Sequence, residues 1–219
     1  MMQPPIKAEL FIAPDCPHCP NVLQALFELI KAGEIAELDI SNMAIVPEKA
    51  RALNIRSVPW IKIGPFELTG AHTKGELQTW IARVQSKSGM QEYFNQLLTT
   101  GKLNKVIDLV KKDPDLLTHF PEMMQNKNTP LGAKIGISAI FEELQGSKSI
   151  QALIPALAKL LESEDANIRN DACYYLGLTE SQDAIPFIQT LAEDEIPEVK
   201  ETVYDALSII NEANIYRSG

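Results

Sequence analysis

The sequence contains few cysteines and no long apolar run, and each scarcity excludes a class of protein. Three cysteines among 219 residues are too few for the disulfide framework of a small secreted domain. No stretch reaches the roughly 18 consecutive apolar residues that a transmembrane helix needs. Residues 1–7 lack a charged region followed by a long apolar stretch, so no secretory leader is expected. The sequence therefore predicts a cytoplasmic protein without a membrane partner.

Acidic and basic side chains are distributed unevenly along the chain. The sequence carries 20 basic and 29 acidic side chains, a formal net charge of −9. Residues 1–88 hold nine of each, so the whole acidic excess lies in residues 89–219. Such asymmetry favours two domains with different surfaces. An acidic surface repels phosphate backbones, which argues against a nucleic-acid partner. It suits a basic protein partner, or it serves only solubility.

The start of the chain shows strand and helix patterns in alternation. An apolar run at residues 9–13 predicts a buried strand. Apolar residues recur at helical spacing from Val22 to Ile30, and Gly33 ends that predicted helix. Residues 36–40 alternate in polarity and predict a second strand. A helical crossover between these strands makes them parallel.

The next segment adds a short helix, a hairpin and a final helix. Pro47 opens the short helix, and residues 60–69 form two strands joined by Gly64-Pro65. Thr73 and Glu76 match a capping box, which starts the last helix. The predicted order is therefore βαβαββα, a mixed sheet with helices, in an α/β domain covering residues 1–88.

The chemistry of this domain is concentrated in Cys16-Pro17-His18-Cys19, which lies between the first strand and the first helix. A helix N-terminus presents unpaired N–H groups and the positive end of the helix dipole, and both favour a thiolate. We therefore expect Cys16 at the N-cap and Pro17 at the first helical position. Cys19 should lie one turn further in, where it is more buried. His18 adds positive charge beside Cys16 when it is protonated.

A second element is the tetrapeptide Ser57-Val58-Pro59-Trp60 before the third strand. A proline at a strand entry can adopt a cis peptide bond. In this topology Pro59 can lie beside the cysteine motif and, with Val58, shape a substrate groove. Trp60 has two interpretations, an aromatic side chain of that groove or a core residue of the strand.

Residues 6–85 resemble the thioredoxin superfamily in their strand–CPHC–helix motif, their βαβαββα order and Val58-Pro59 before the hairpin. The resemblance implies a thiol–disulfide oxidoreductase in which Cys16 attacks, Cys19 resolves and Pro59 is the cis-proline. The CPHC tetrad is similar to that of strongly oxidising members of the superfamily. The short domain and Pro20, the proline after the second cysteine, resemble glutaredoxin-like modules. Asp15 stands where thioredoxin has tryptophan, and no glutathione-binding motif follows the hairpin.

Other roles for the CxxC motif are a structural zinc site or an inert pair. A tetrahedral zinc site needs four ligands. Beyond the motif only Cys173 and the histidines remain, and no second CxxC or HxxxH pattern occurs. We therefore predict no metal and no bound cofactor.

The second half of the chain is helical and repetitive. Ile154-Pro155 recurs as Ile185-Pro186, and Ile168-Arg169 recurs as Val199-Lys200, a period of 31 residues. A degenerate earlier copy has a helix near residues 131–144. Upstream of it, Gly101 breaks a further helix pair. Cys173, alone on a helix, is expected to be a small buried apolar residue rather than a redox or intermolecular group.

This half resembles HEAT repeats, in which Ile-Pro opens one helix and a Val/Ile–Arg/Lys dipeptide occurs in the next. The resemblance implies that residues 89–219 form an α-solenoid of stacked helix pairs sharing one core. Its implied role is to recruit or scaffold a protein partner. The alternative is a helical domain that stabilises the first one or mediates dimerisation.

The whole sequence thus predicts exchange with protein disulfides through Cys16 and Cys19, with the solenoid recruiting the partner. One alternative is a redox-sensing scaffold with little turnover. Another is a glutathione-linked, glutaredoxin-like enzyme. The electron donor is not readable from the sequence.

Overall fold

The computed structural model describes the backbone of residues 5–218 and the side chains of residues 5–216. Residues 1–4, on which part of the leader expectation rests, lie outside the described residues. The chain divides into two compact units, Met1–Tyr93 and Phe94–Gly219. The division falls within a helix, after Tyr93, whereas the sequence predicts a boundary after residue 88.

The first unit is a four-stranded sheet with helices, and its predicted element order is confirmed. Its elements are β1 (Lys7–Ile12), α1 (Cys19–Lys31), β2 (Glu37–Asn42), α2 (Pro47–Ala52), β3 (Trp60–Ile63), β4 (Phe66–Thr69), α3 (Lys74–Val84) and the start of α4 (Gly89–Thr99). The strands lie in the order β2-β1-β3-β4. β1 is parallel to β2 and antiparallel to β3, and β4 is antiparallel to β3, so the predicted directions are also confirmed.

Local signals in the sequence set several of these boundaries. The predicted capping box is present: the N–H of Glu76 donates to Thr73 Oγ1 over 3.3 Å, and the N–H of Thr73 donates to Glu76 Oε2 over 2.7 Å. Pairing of Phe11 with Trp60 brings two buried rings edge to face, with centroids 5.6 Å apart. Ala50 and Ile55 pack with these rings, so α2 and the segment after it cover that face of the sheet.

One end of this sheet collects four loops. Because β1 and β2 are parallel while β3 and β4 alternate in direction, β1, β2 and β4 all finish where β3 begins. We call this the cysteine end of the sheet. Its loops are residues 13–18, 43–46, 56–59 and 70–72.

Backbone hydrogen bonds tie these loops to one another. The N–H of Met43 donates to the carbonyl of Ile12 over 2.9 Å, and the N–H of Gly70 donates to the carbonyl of Pro59 over 2.9 Å. These bonds hold the ends of neighbouring strands in register, and the loops at the cysteine end therefore have defined positions.

The second unit is helical throughout. After the rest of α4 its α-helices are α5 (Leu103–Lys112), α6 (His119–Gln125), α7 (Leu131–Glu143), α8 (Lys148–Gln151), α9 (Ile154–Leu160), α10 (Ala166–Leu178), α11 (Ile185–Ile188) and α12 (Pro197–Ser218). The two Ile-Pro dipeptides open α9 and α11 as predicted, because proline is tolerated in the first helical turn. No helix within residues 5–218 is long and apolar enough to cross a membrane.

The repeat positions form the core of the second unit. Ile168 and Ala172 of α10 are buried, as are their counterparts Val199 and Val203 of α12. The helices approach so closely that a Cβ on Gly177 would lie 2.7 Å from the Ala206 Cα. Polar pairs accompany this contact: the Thr202 hydroxyl donates to Asn170 Oδ1 over 2.6 Å. Helices α10 and α12 of the stacked repeats thus share a core, as the solenoid architecture predicts.

Candidate functional site: a cysteine pair at the end of the sheet

Cys16 and Cys19 form a disulfide in this structure, with their Cα atoms 5.5 Å apart. Cys16 lies in the loop that follows β1 and is half-buried. Cys19 is the first residue of α1 and only 4% exposed. A partner that approaches the pair from solvent therefore meets Cys16 first. The prediction that Cys19 is the more buried of the two cysteines is confirmed.

The start of α1 differs from the expected one. The N-cap is His18 rather than Cys16, Cys19 is the first helical residue, and the early-helix proline is Pro20 rather than Pro17. The four-residue motif is taken up by a turn that closes the cysteine pair before the helix begins. The expectations for Cys16, Pro17 and Cys19 along the helix were therefore wrong by two residues.

An N–H group at the start of the helix nevertheless contacts Cys16, although Cys16 is not the N-cap. The N–H of Cys19 donates to Cys16 Sγ over 3.2 Å. That N–H belongs to the first helical residue, and such groups lack partners inside the helix. In the reduced protein the same donor would favour a thiolate at Cys16 over a thiol.

The segment before β3 borders the same end of the sheet. The Val58–Pro59 peptide bond is cis, as the family resemblance implies. Register places Trp60 opposite Phe11, so Pro59 lies level with the last residues of β1, just before the cysteine loop. Pro59 is buried, whereas Val58 is half-buried and packs against the cluster around Phe11 and Trp60.

Trp60 belongs to the core rather than to an exposed groove. Its side chain is 4% exposed and packs edge to face on Phe11. Of the two interpretations of Trp60, the core residue of the strand is therefore correct. Its ring is not available to a polypeptide that binds at the surface.

The exposed side chains near the pair are few and mixed in charge. Asp15, Pro17 and His18 are all exposed. His18 occupies the N-cap of α1 without capping the helix through its side chain. The side chains of Asp15 and His18 are therefore both open to solvent.

Sequence reasoning missed the loop at residues 43–46. Its Met43 packs against the Phe11–Trp60 cluster, and its Ile45 is 76% exposed. The available signal was the parallel pairing of β1 and β2, since parallel strands end at the same edge and bring their following loops together.

Cys173 is separate from this chemistry. It lies in α10 of the second unit, is fully buried and is a free thiol. Burial raises its pKa to about 12, so the prediction of a small buried apolar residue is confirmed. Within the described part of the chain, no group of three or more histidine, cysteine, aspartate or glutamate side chains is arranged to hold a metal ion.

A mixed four-stranded sheet, a cysteine pair before its first helix and a cis-proline before its third strand together define a thioredoxin-fold dithiol–disulfide protein. Comparison with known proteins agrees with this class. The chain is 38% identical to the thioredoxin of Methanocaldococcus jannaschii over 74 residues, which span 87% of that protein and 33% of this chain. The chain belongs to the thioredoxin family.

The second unit has a match of its own. Residues 150–214 match the family described as HEAT repeats. This agrees with the period of 31 residues and with the paired helices of the structure. The cysteine pair and the family indicate thiol–disulfide redox chemistry, and the repeats indicate a solenoid of the kind that binds proteins.

Proposed function

We propose that this protein is a cytoplasmic oxidoreductase that reduces disulfides in other proteins, using Cys16 and Cys19 as its dithiol. One observation carries the proposal: the half-buried Cys16, whose Sγ accepts a helix N–H, is bonded to Cys19, a buried residue at the start of α1. This asymmetry gives the two cysteines different tasks. Cys16 attacks the substrate disulfide, and Cys19 later resolves the mixed disulfide.

The reaction proceeds by two exchanges. The Cys16 thiolate attacks one sulfur of the substrate disulfide, forms a mixed disulfide and releases the other substrate sulfur as a thiolate. Cys19 then loses its proton and attacks Cys16 Sγ, which releases the second substrate sulfur. The products are a substrate dithiol and the Cys16–Cys19 disulfide, the state seen in this structure. A dithiol reductant returns two electrons and two protons to restore the starting protein.

Neighbouring residues assist this exchange. The Cys19 N–H donates to Cys16 Sγ and stabilises the attacking thiolate. Pro59 and Val58 border the cysteine end and form the adjoining substrate surface. The exposed His18 at the N-cap of α1 adds positive charge on protonation, and Pro17 constrains the turn between the cysteines.

In the second unit we propose a recruiting surface for a basic protein partner. The whole acidic excess of the chain lies in residues 89–219. Glu198, Glu201 and Asp205 of α12, among others, are exposed. Attraction between opposite charges raises association rates and holds a tethered partner near the dithiol at high local concentration.

The test is substrate trapping with Cys19→Ser. This variant can form the mixed disulfide on Cys16 but cannot release it, so reduced Cys19→Ser incubated with a disulfide-bonded protein such as insulin should accumulate a covalent adduct. Cys16→Ser should form none, and Cys173→Ser is the matched control that retains full activity. Absence of the adduct, together with no insulin reduction by the unaltered protein, would contradict the proposal.

The direction of the reaction has its own measurement. Equilibration with glutathione buffers gives the reduction potential of the Cys16–Cys19 pair. A value near about −270 mV supports a reductase, whereas a value near about −120 mV indicates an oxidant. A stable glutathione adduct on Cys16 would instead favour the glutathione-linked function.

A further inference from the structure

Strand β2 has an open edge. It lies at one end of the strand order and pairs with β1, and no strand within residues 5–218 pairs with its other side. Every second residue of β2 therefore directs its backbone N–H and C=O groups away from the sheet. The opposite edge strand, β4, instead bonds to Tyr93. An open edge is a template for another strand, and the side chains around it decide which strand can pair there.

One face of β2 is polar, and its charge is balanced within the chain. Residues paired across parallel strands point to the same face of a sheet, so Ser41 shares the face of its partner Phe11, and Asp39, two residues earlier, lies there too. Lys49 of α2 donates to Asp39 Oδ2 over 2.6 Å and to Ser41 Oγ over 3.1 Å. A strand that pairs with β2 therefore meets an ion pair on this face rather than an unpaired acid.

The other face of β2 is apolar and lies beneath α1. It carries Leu38, which is half-buried, and Ile40, which is 44% exposed. In the neighbouring strand β1, Leu10 and Phe11 are both fully buried, although they point to opposite faces. Because α2 covers the Phe11 face, α1, which contacts β2, covers the face of Leu10 and Ile40.

The flank of α1 on the side of the open edge is also apolar. On one flank Glu28 accepts a hydrogen bond from Lys74 of α3 over 3.1 Å. At 3.6 residues per turn, Leu23, Phe27 and Ile30 lie together on the other flank. Phe27 is 54% exposed there, while Leu23 and Ile30 are half-buried. Helix α3 contacts β3, on the far side of β1 from β2, so the apolar flank lies toward the open edge.

We infer that a second copy of this chain pairs with this surface, β2 against β2 and the α1 flank against the α1 flank. A lone strand of another protein would pair with the backbone of β2 but would offer no helix to Phe27. A second copy offers both elements, because a twofold axis presents the same surface on each side. Since α1 lies over β1 and β2, the two α1 helices would be two strand spacings apart, about 10 Å, which is the usual distance between packed helices.

Charge selects one register of this antiparallel pairing. A twofold axis at Leu38 would place Glu37 opposite Asp39 of the copy, and an axis at Asp39 would place that residue opposite itself. Like charges directly opposite each other destabilise a strand pair. An axis at Ile40 instead places Ile40 opposite Ile40 and Asp39 opposite Ser41. The apolar face then meets an apolar face, and no two acids are opposed.

The size and direction of the contact define the expected dimer. The six residues of β2 span about 20 Å, and the layers of α1, the sheet and α2 together span about 25 Å, so roughly 500 Å² of each copy is covered. The total of about 1,000 Å² is at the lower limit for a specific interface, and we expect a weak dimer. Antiparallel pairing points the two cysteine ends in opposite directions, which leaves each Cys16 open. The inference therefore goes beyond the proposed function and does not depend on it.

Sedimentation of the full chain from about 1 μM to about 1 mM tests the inference, and dimer should replace monomer along this series. Ile40→Lys should weaken self-association by about tenfold or more, because it places two ammonium groups opposite each other at the axis. Ile135→Lys is the matched control, since Ile135 is a 61% exposed isoleucine on α7 of the second unit, and it should associate like the unaltered chain. Hydrogen exchange of the β2 amides should slow at the dimer concentration.

The outcomes separate this inference from the proposed function. A monomer at every concentration overturns the inference, and so does a dimer that Ile40→Lys leaves intact or that Ile135→Lys dissociates. Protection of the β2 amides only when insulin is added would assign the edge to a strand of another protein and would also overturn it. Ile40→Lys should still reduce insulin at the rate of the unaltered protein. Failure of the unaltered protein to reduce insulin would count against the oxidoreductase and leave the dimer standing.

Discussion

At the scale of single residues, the three cysteines lie in different environments. Cys16 is half-buried beside an N–H donor, Cys19 is covered, and Cys173 is buried among the helices of the second unit. Burial disfavours the charged thiolate, and it raises the pKa of Cys173 to about 12. Reactivity of cysteine depends on the thiolate, so position in the fold gives three identical side chains different chemistry.

Alkylation should reveal this difference. After reduction and treatment with iodoacetamide near about pH 8, Cys16 should be labelled first, since it is the more exposed of the pair. Cys173 should remain unlabelled in the folded protein, because it is fully buried and burial keeps its thiol protonated at that pH. Peptide mapping by mass spectrometry measures the order. Labelling of Cys173 at a rate similar to Cys16 would contradict its burial.

The Arg169–Asp194 ion pair is the second residue-scale feature with a measurable effect. Nε and one terminal nitrogen of Arg169 donate to the two Asp194 oxygens over 2.7 and 2.8 Å, and the side chains are only 16% and 6% exposed. Arg169 also donates to the carbonyls of Ser163 and Glu164. The pair therefore joins the loops of neighbouring repeats by charge-assisted bonds.

Asp194→Asn should lower the free energy of unfolding by about 2 kcal/mol at neutral pH, since it leaves the Arg169 charge without its partner. Hydrogen bonding from Arg169 holds the pKa of Asp194 below its ordinary value. The stability from this pair is therefore present above the aspartate pKa of about 3.9 and is lost as pH falls through the lowered folded value. Urea unfolding across pH should show the variant and the unaltered protein converging in acid. Asp183→Asn, at an exposed aspartate, is the control.

At the scale of the elements, the first turn of α4 binds the edge strand β4 of the first unit through Tyr93. The Tyr93 hydroxyl accepts the N–H of Glu67 over 3.2 Å and donates to its carbonyl over 2.9 Å. Glu67 lies on β4, an edge strand of the sheet. The Tyr93 ring also contacts Phe66 and Trp80, with centroids 5.2 and 5.6 Å away. The helix start thus covers part of an edge that would otherwise be open to another strand.

Tyr93→Phe isolates the contribution of the hydroxyl. The ring contacts remain, but both backbone groups of Glu67 lose this partner. The free energy of unfolding should fall by about 1–2 kcal/mol, the range for hydrogen bonds of buried groups. Denaturant unfolding measures this loss, and hydrogen exchange should show a faster Glu67 amide. Unchanged protection of that amide would show that another group takes over the bond.

The approach of α10 to α12 depends on a residue without a side chain. Gly177→Ala should destabilise the protein by about 2–4 kcal/mol, because the new Cβ would meet the Ala206 backbone at 2.7 Å. Helix propensity alone predicts a gain of about 1 kcal/mol. Gly132→Ala is the control, since its nearest neighbour is a Thr99 methyl at 3.9 Å. Thermal unfolding should show a lower melting temperature for Gly177→Ala than for Gly132→Ala. Equal melting temperatures would mean that α10 and α12 can move apart to accommodate the new Cβ.

At the scale of the whole molecule, the chain divides into two compact units. The redox pair belongs to residues 1–93, while the acidic excess begins at residue 89. This division assigns the chemistry to one core and the proposed recruitment to the other. Tyr93 and its contacts show that a cut after residue 88 would remove part of the first core.

Hydrogen exchange should follow the two cores separately. Reduction of the disulfide should change amide protection mainly around residues 13–22, because opening the pair frees the turn before α1. Gly177→Ala should change protection in α10 and α12 and leave the cysteine loop as it is. Mass spectrometry of peptide fragments tests both expectations in the full chain. Changes spread equally over both units on reduction would contradict this division.

Much of the fold follows from periodic patterns that a reader of the sequence can recognise. The hairpin strands, the capping box of α3 and the opening of α9 and α11 at Ile-Pro depend on residues close together in the chain. Such local preferences act wherever the segment lies. The position of the cysteine motif after β1 likewise follows from the order of strand and helix.

Tertiary structure decided the features that depend on contacts between distant segments. Only the sheet register shows that Trp60 packs on Phe11 as core, and only strand pairing places the loop at residues 43–46 beside the end of β1. A turn at Pro17 and His18 precedes α1, so the helix begins at Cys19 rather than at Pro17. The Gly177–Ala206 approach and the Tyr93–Glu67 bonds join residues 29 and 26 positions apart in the sequence. No local pattern encodes such contacts, because their energies depend on which surfaces the folded chain brings together.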